Sequence, residues 1–169
     1  MTKDILLFDE VGANSVFSNV FRREFSFTFP YEFIDKDEIK VRFASQALYA
    51  CKAAFFDDNL RYNAIVSSST PYEVLLHAKK IRNVDEDTWS EFREYFMFLI
   101  LKAKFSESTM KKHLLETGDS FLAYASKDCI WGIGVLSVDN YSTNPRHWKG
   151  ENALGSALMR TRDHFRDTL

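Results

Sequence analysis

The apolar pattern of residues 89–103 constrains the fold more than any other part of the sequence. Large side chains recur there at the spacing of one helix face, and further apolar residues widen that face on both sides. A helix that is apolar around most of its circumference lies buried among other elements. The stretch therefore predicts a mostly buried helix. Its stripe consists of Trp89, Phe92, Tyr95, Phe96, Phe98, Leu99, Ile100, Leu101 and Ala103.

Composition points to a folded domain of ordinary size. The chain has 169 residues, of which 46% are hydrophobic and 27% charged, so a packed core is expected and disorder is not. Aromatic residues make up 15%, which favours a core rich in phenylalanine. The net charge of -2 gives no broad attraction for duplex DNA or for an anionic membrane.

Cysteine usage and hydropathy predict a cytoplasmic protein. Cys51 and Cys129 form no C-x-x-C pair, the sequence starts without a signal-peptide pattern, and no apolar run is as long as a membrane span. We therefore expect free thiols in a reducing compartment and no membrane partner.

The strand signals are few and short. Residues 25–29 and 39–43 alternate apolar and polar side chains, and they predict two antiparallel strands joined as a hairpin. Residues 5–8 and 121–125 are apolar runs typical of buried strands. The small number of strands predicts a small antiparallel sheet.

Helical patterns cover much of the remaining chain. Residues 44–56 place Leu48, Cys51 and Phe55 on one face, and residues 70–73 have the form of a capping box with proline at the first helical position. Further helices are predicted over residues 60–66, 71 to about 82, 108–116 and 153–165, with a long irregular loop at 136–148. The predicted caps are Asp87 or Thr88, Ser108 or Thr109, and Gly118. These patterns predict one compact α+β domain over residues 1–169, mostly helical.

Residues 128–134, Asp-Cys-Ile-Trp-Gly-Ile-Gly, carry the most informative chemistry. The Asp128 carboxylate can act on a polar substrate, the Trp131 indole can stack on a flat ring, and Gly132 lets the backbone approach a ligand closely. The same residues also fit a purely structural interpretation, in which the tryptophan is buried under a glycine turn and the aspartate caps that turn.

Familiar catalytic and metal motifs are missing from the sequence. It has no G-x-S-x-G, no phosphate-binding G-x-x-x-x-G-K-[ST] and no H-E-x-x-H. The four histidines are scattered, without the spacing of a metal site. We expect neither a metal nor a cofactor.

The order of several short motifs resembles the NADAR superfamily of YbiA-like N-glycosidases. The resemblance covers nearly the whole chain and implies a YbiA-like fold that cleaves the bond between ribose C1 and a base nitrogen. It is carried by Phe8, residues 17–19, Lys52, Trp89, Met97 and residues 103–105, 115–118, 128–132 and 150–162.

The resemblance also implies site residues and a substrate class. Asp128 would stabilise the oxocarbenium-like sugar and position water, and Trp131 would stack on the leaving ring. The substrate would be a phosphoribosyl or ADP-ribosyl conjugate of a nucleobase-like ring, including ADP-ribosylated nucleic acid. Residues of the types that hold sugar and phosphate oxygens are Ser18, Asn19, Lys52, Gly132, Asn152 and Arg162.

Two acids that the resemblance leads us to expect are absent. Counting back seven positions from Lys52 reaches Ser45, where the family has a glutamate, and the neighbouring Gln46 matches only if one residue is deleted. Ala123 stands where a second glutamate is common. Three alternatives follow: Asp128 suffices, another acid such as Glu151 or Glu116 substitutes, or the chain binds a nucleotide without cleaving it. A fourth is an interaction module with a partner over loop 136–148.

Overall fold

The structure is a computed structural model that describes residues 4–168. The interpretation of the sequence start rests largely on residues 1–3, which lie outside that range. The strands are β1 (Ile5–Phe8), β2 (Phe25–Phe27), β3 (Ile39–Val41) and β4 (Phe121–Tyr124). The helices are α1 (Ala44–Phe55), α2 (Asn59–Ser67), α3 (Pro71–Ala78), α4 (Glu86–Lys104), α5 (Ser108–Glu116) and α6 (Ala153–Asp167).

The chain forms two compact units. Residues 22–104 make the central unit, and the chain on either side of them makes the flanking unit. The prediction of a mostly helical α+β fold with a small antiparallel sheet is confirmed. The assignment of residues 1–169 to one domain stays a prediction.

In the central unit, β2 and β3 pair antiparallel, with Phe25 opposite Val41. Helix α1 packs against α2, α3 and α4. The predicted burial of α4 is confirmed, because Phe96, Met97 and Ile100 are fully buried along it. The predicted capping box is present as well: the Thr70 hydroxyl accepts the amide of Glu73, and the Glu73 carboxylate accepts the amide of Thr70.

Several helix ends differ from the sequence prediction. Helix α3 ends at Ala78 and not near residue 82, because the chain continues in tight turns up to Asn83, which has a φ of 59°. The cap before α4 is Asp85, whose Oδ1 accepts the amides of Asp87 and Thr88. The N-cap of α5 is Glu107 and neither of the two hydroxyl residues that follow it.

The flanking unit is built on a parallel strand pair that the sequence did not predict. Ile5 of β1 pairs with Phe121 of β4, and Phe8 pairs with Tyr124. Helix α6 packs against β4 so closely that a Cβ atom at Gly155 would collide with the Leu122 carbonyl. Parallel strands end at the same edge of a sheet, so the residues that follow β1 and β4 are brought together.

Candidate functional site

A cleft of about 420 Å³ lies at the carboxyl ends of β1 and β4. Asp9 and Glu10 follow β1, Ser126 and Lys127 follow β4, and all four line the cleft. This edge of a parallel sheet is where ligands commonly bind in α/β proteins. The cleft lies entirely within the flanking unit, and neither acid was predicted from the sequence.

Tyr124 and Glu10 form the central pair of this cleft. The Tyr124 hydroxyl donates to Glu10 Oε1 at 3.0 Å, and its ring stacks on Phe8 with centroids 5.2 Å apart. Burial, followed by the charge of Glu10, raises the pKa of Tyr124 well above its ordinary value. Tyr124 therefore stays a hydrogen-bond donor at neutral pH and holds the carboxylate of Glu10 in place.

Loop 136–148 forms another wall of the cleft. The Ser137 hydroxyl donates to Asp9 Oδ2 at 2.7 Å and ties the loop to the end of β1. Within the loop, the indole N–H of Trp148 donates to the Ser142 carbonyl at 2.8 Å, and Tyr141 stacks on the ring of His147 with centroids 4.5 Å apart. The first of these contacts holds residues 136–138 against the cleft, and the other two connect the later residues of the loop to one another.

Asp128 lies immediately after the cleft-lining Lys127, and its side chain is exposed. Its Oδ1 accepts the amides of Ile130 and Trp131, each at 2.8 Å. Both bonds go to one oxygen, so the carboxylate caps a turn and its orientation is fixed at the same time. The structural interpretation of the motif, in which the aspartate caps a turn, is therefore correct for Oδ1 of Asp128.

Trp131 and Gly132 connect this turn to the start of α6. Trp131 is buried, and its carbonyl accepts the amide of Leu154. The Gly132 carbonyl accepts the amide of Asn152, and a Cβ atom on Gly132 would lie 2.9 Å from the Asp128 carbonyl oxygen. The first amides of α6 therefore donate their hydrogen bonds to carbonyl groups of this turn.

Asn152 is buried between α6 and β4. Its Oδ1 accepts the Tyr124 amide at 3.0 Å, and its Nδ2 donates to the Leu122 carbonyl at 2.9 Å. Its φ of 55° is left-handed, a conformation that asparagine tolerates better than most residues. These two bonds fix the strand that carries Tyr124, so the amide holds β4 where the sequence suggested a sugar contact.

Arg162 is also buried and bonded within the protein. One guanidinium nitrogen, NH1, donates to the Thr117 hydroxyl at 2.8 Å and to the Ser120 carbonyl at 2.9 Å. Burial, followed by the charge of Arg166, lowers the pKa of Arg162. Arg162 thus joins α6 to the turn that leads into β4.

Ser18 and Asn19 follow a short 3-10 helix, Ser15–Phe17, in the flanking unit. Ser18 is fully buried, its Oγ accepts the Val20 amide at 3.3 Å, and its side chain also hydrogen-bonds to Tyr124. The structure therefore brings Ser18 to the Tyr124–Glu10 pair. Asn19 is 9% exposed.

The three predicted residues of α1 lie in the central unit. Gln46 is fully buried: its Oε1 accepts the Arg42 amide at 2.8 Å, and its Nε2 donates to the carbonyls of Ile65, Val66 and Ser68. Ser45 is 5% exposed. The Lys52 ammonium pairs with Glu86 at 2.9 Å and lies 5.5 Å from the centre of the Trp89 ring.

The remaining acid positions are accounted for by their surroundings. Ala123, where the resemblance leads us to expect a glutamate, faces an apolar cluster with Ala125 and Ile133. Glu116 is exposed and pairs with Lys112 one helical turn away at 3.7 Å. Glu151 is exposed beside Asn152.

Lys104 is a residue whose environment the sequence concealed. It lies at the end of α4, where a cation interacts favourably with the helix dipole, yet it is 1% exposed. Burial lowers its pKa to about 7. The signal in the sequence was a lysine placed directly after a buried stripe, between Ala103 and Phe105.

Two other kinds of feature are absent from the described part of the chain. Between residues 4 and 168, no group of three or more His, Cys, Asp or Glu side chains could hold a metal ion. Within the same range, no helix is long and apolar enough to cross a membrane.

Comparison with known proteins shows the family to which the chain belongs. The NADAR domain matches residues 7–166. The chain belongs to the NADAR family. An N-glycosidase, R617 of Acanthamoeba polyphaga mimivirus, is 27% identical over 96% of each chain. Protein irg-1 of Caenorhabditis elegans is 29% identical over 97% of this chain and 81% of its own.

A solved structure supports the fold of this NADAR chain. The NMR structure of the E. coli protein YbiA superposes with a TM-score of 0.75 and covers 99% of this chain and 88% of its own. The two sequences are 22% identical, so the likeness concerns the fold alone.

Proposed function

We propose that this NADAR chain is an N-glycosidase-type hydrolase. It cleaves the ribose C1–N bond of an ADP-ribosyl or phosphoribosyl conjugate of a nucleobase-like ring. The observation that carries the proposal is the exposed Asp128 carboxylate, which two amides hold at 2.8 Å and which directly follows the cleft-lining Lys127 in the chain. The mimivirus relative named an N-glycosidase, similar along 96% of both chains, supports this reaction class.

The proposed reaction needs a fixed negative charge more than a strong nucleophile. As the C1–N bond breaks, its electron pair goes to the nitrogen of the leaving base, and positive charge develops on the ribose. The Asp128 carboxylate stabilises that charge and orients the water whose oxygen bonds to C1. The water gives up one proton, and the departing nitrogen gains one, so the products are a free base and a ribose with a hydroxyl on C1.

The other predicted residues divide into two groups within this proposal. Ser18, Asn152 and Arg162 act by positioning, because their polar atoms bond to protein groups around β4. Asn19 is proposed to contact the sugar or phosphate directly, and the same contact for Lys52 stays a prediction of the family resemblance. Trp131 and Gly132 hold the turn that orients Asp128.

Asp128→Asn is the variant that tests the hydrolase proposal. The asparagine Oδ1 can still accept both turn amides, so the fold is kept while the charge is lost. The wild type should release free base from ADP-ribosylated guanine and from phosphoribosylamino-pyrimidines, and chromatography measures this release. Turnover should fall about 100- to 10,000-fold, the usual effect of losing a charge stabiliser or general base.

Asp167→Asn is the matched control, since Asp167 is an exposed aspartate at the end of α6. It should leave turnover unchanged. Equal turnover in wild type and Asp128→Asn would refute the assigned role of Asp128.

A second candidate function, nucleotide binding without cleavage, is favoured by the start of α1. The two positions where the resemblance leads us to expect a carboxylate hold Ser45 and Gln46. Ser45 is nearly buried, and the side-chain amide of Gln46 is bonded to four backbone groups. For this candidate, calorimetry should detect ADP-ribose binding by the wild type while neither substrate releases base. Base release by the wild type that Asp128→Asn abolishes excludes it.

A further inference from the structure

The cleft at the carboxyl ends of β1 and β4 combines three kinds of surface. Glu10 supplies an exposed carboxylate, Lys127 an exposed ammonium group, and Val11, Leu136 and Val138 an apolar rim. Val11 is 74% exposed and Val138 is 84% exposed, which is unusual for aliphatic side chains. An acid, a base and an apolar rim around one cavity match the parts of a nucleotide: hydroxyl groups, phosphate and a flat ring.

We propose that this cleft binds the ribose and phosphate of the ligand, with Glu10 accepting hydrogen bonds from ribose hydroxyls and Lys127 pairing with the phosphate. The inference rests on the proposed function for the ligand class, a ribose phosphate attached to a ring. It assigns binding roles to residues that the sequence motifs did not indicate.

Glu10 is suited to this role because one hydrogen bond fixes its carboxylate and other acceptor sites remain for a ligand. The Tyr124 hydroxyl bonds to Oε1 at 3.0 Å, and a carboxylate has about four acceptor sites on its two oxygens. Tyr124 is itself fixed by stacking on Phe8 and by the Asn152 bond to its amide. The carboxylate therefore presents its remaining acceptor sites in a defined orientation, which lowers the entropy lost when a ligand binds.

Asp9, the neighbouring acid, is used to build the cleft. Its Oδ1 accepts the Val11 amide at 3.1 Å, and its Oδ2 accepts the Ser137 hydroxyl at 2.7 Å. Each Asp9 oxygen therefore uses an acceptor site to hold the cleft, whereas Glu10 uses a site on one oxygen, so we assign the contact with ribose to Glu10. The same two bonds place the apolar rim, because they hold Val11 and loop 136–148.

The size and position of the cleft agree with this assignment. Its volume of about 420 Å³ falls in the range of about 300 to 1,000 Å³ that is typical of small-molecule sites. Lys127 directly precedes Asp128 in the chain, so the proposed phosphate contact and the proposed cation stabiliser belong to one segment. The flat ring would lie against the valine side chains at the rim.

An NMR titration tests the location of the bound ligand. Ribose 5-phosphate and ADP-ribose are added separately to the ¹⁵N-labelled full chain. We expect the amide shifts to concentrate at residues 9–11, 124–127 and 136–138. Absence of binding by both ligands, or shifts concentrated outside these segments, would overturn the inference.

Glu10→Gln and Lys127→Met test the two assigned contacts. Glutamine can still accept the Tyr124 hydroxyl, so the cleft keeps its shape. Each variant should weaken ADP-ribose binding about 10- to 100-fold, the effect of losing one hydrogen bond to a charged group. Glu91→Gln, at an exposed glutamate of α4 in the central unit, is the control and should leave the affinity unchanged. Unchanged affinity in both cleft variants contradicts the assignment.

The outcome is separable from that of the hydrolase proposal. Binding at the cleft without release of base refutes the hydrolase and supports the cleft. Release of base that depends on Asp128, with ligand shifts elsewhere, supports the hydrolase and overturns the cleft.

Discussion

Replacing Asn152 with alanine should destabilise the flanking unit strongly. The change removes the acceptor of the Tyr124 amide and the donor to the Leu122 carbonyl, and both backbone groups are buried. Each unpaired buried group costs about 1 to 2 kcal/mol. Alanine at a φ of 55° adds about 1 kcal/mol of strain. We expect the free energy of unfolding to fall by about 3 to 5 kcal/mol.

Equilibrium unfolding in urea, followed by tryptophan fluorescence, measures this change. Asn152→Gly separates its two parts, since glycine adopts the left-handed conformation freely but also lacks the amide. It should be about 1 kcal/mol less destabilising than Asn152→Ala. Asn140→Ala is the control, because Asn140 is exposed in loop 136–148 of the same unit. It should change the free energy of unfolding by less than about 0.5 kcal/mol.

The experiment distinguishes the structural role of Asn152 from the sugar contact that the sequence suggested. If Asn152→Ala lowers the free energy of unfolding by less than about 0.5 kcal/mol but abolishes ADP-ribose binding, the reasoning is refuted. Asn152 would then be a direct ligand contact.

Two pH dependences follow from the shifted ionisation of Lys104 and Glu107. Burial lowers the pKa of Lys104 from 10.5 to about 7, so between these values the folded protein binds fewer protons than the unfolded chain. The free energy of unfolding should therefore rise with pH from about 7 to 10.5. The slope of this free energy against pH should be smaller in Lys104→Met than in the wild type. An equal slope in both proteins would contradict the burial of this lysine. Hydrogen bonds from the amides at the start of α5 lower the pKa of Glu107 from 4.5 to about 2. Its stabilising effect is present above pH 4.5 and is lost as the pH falls toward 2, so Glu107→Gln should flatten the melting temperature over that range, and a wild-type-like profile would argue against the cap.

The sequence predicted the elements whose signals are local. The stripe around Phe96 located α4, and the hydroxyl-to-glutamate spacing at Thr70 located the start of α3. Where the predicted start of a helix was wrong by a few residues, a different side chain supplied the cap. Glu107 precedes the predicted Ser108 or Thr109, and its longer carboxylate reaches the same amides. Such competition between neighbouring caps is decided by backbone geometry, which residue type alone does not fix.

The candidate site depends on contacts between distant parts of the sequence. Glu10 meets Tyr124 only because β1 pairs with β4 in a register that places Phe8 opposite Tyr124. The partners of Asn152 and Gln46 are likewise set by tertiary packing. An amide side chain that could hold a sugar can equally bond to a strand, and its sequence context does not distinguish the two. The turn cap at Asp128 could be predicted because the amides it accepts lie only two and three residues further along the chain.

The pairing of β1 with β4 also orders the assembly of the protein during synthesis. The first strand leaves the ribosome long before Phe121, its partner for Ile5, has been translated. All of residues 22–104 emerge in between, and they form a unit of their own. Until the last third of the polypeptide arrives, the nascent N-terminal segment must remain an open edge that other chains can capture. Truncation before β4 should therefore yield aggregates of the incomplete chain, even though the central unit is intact.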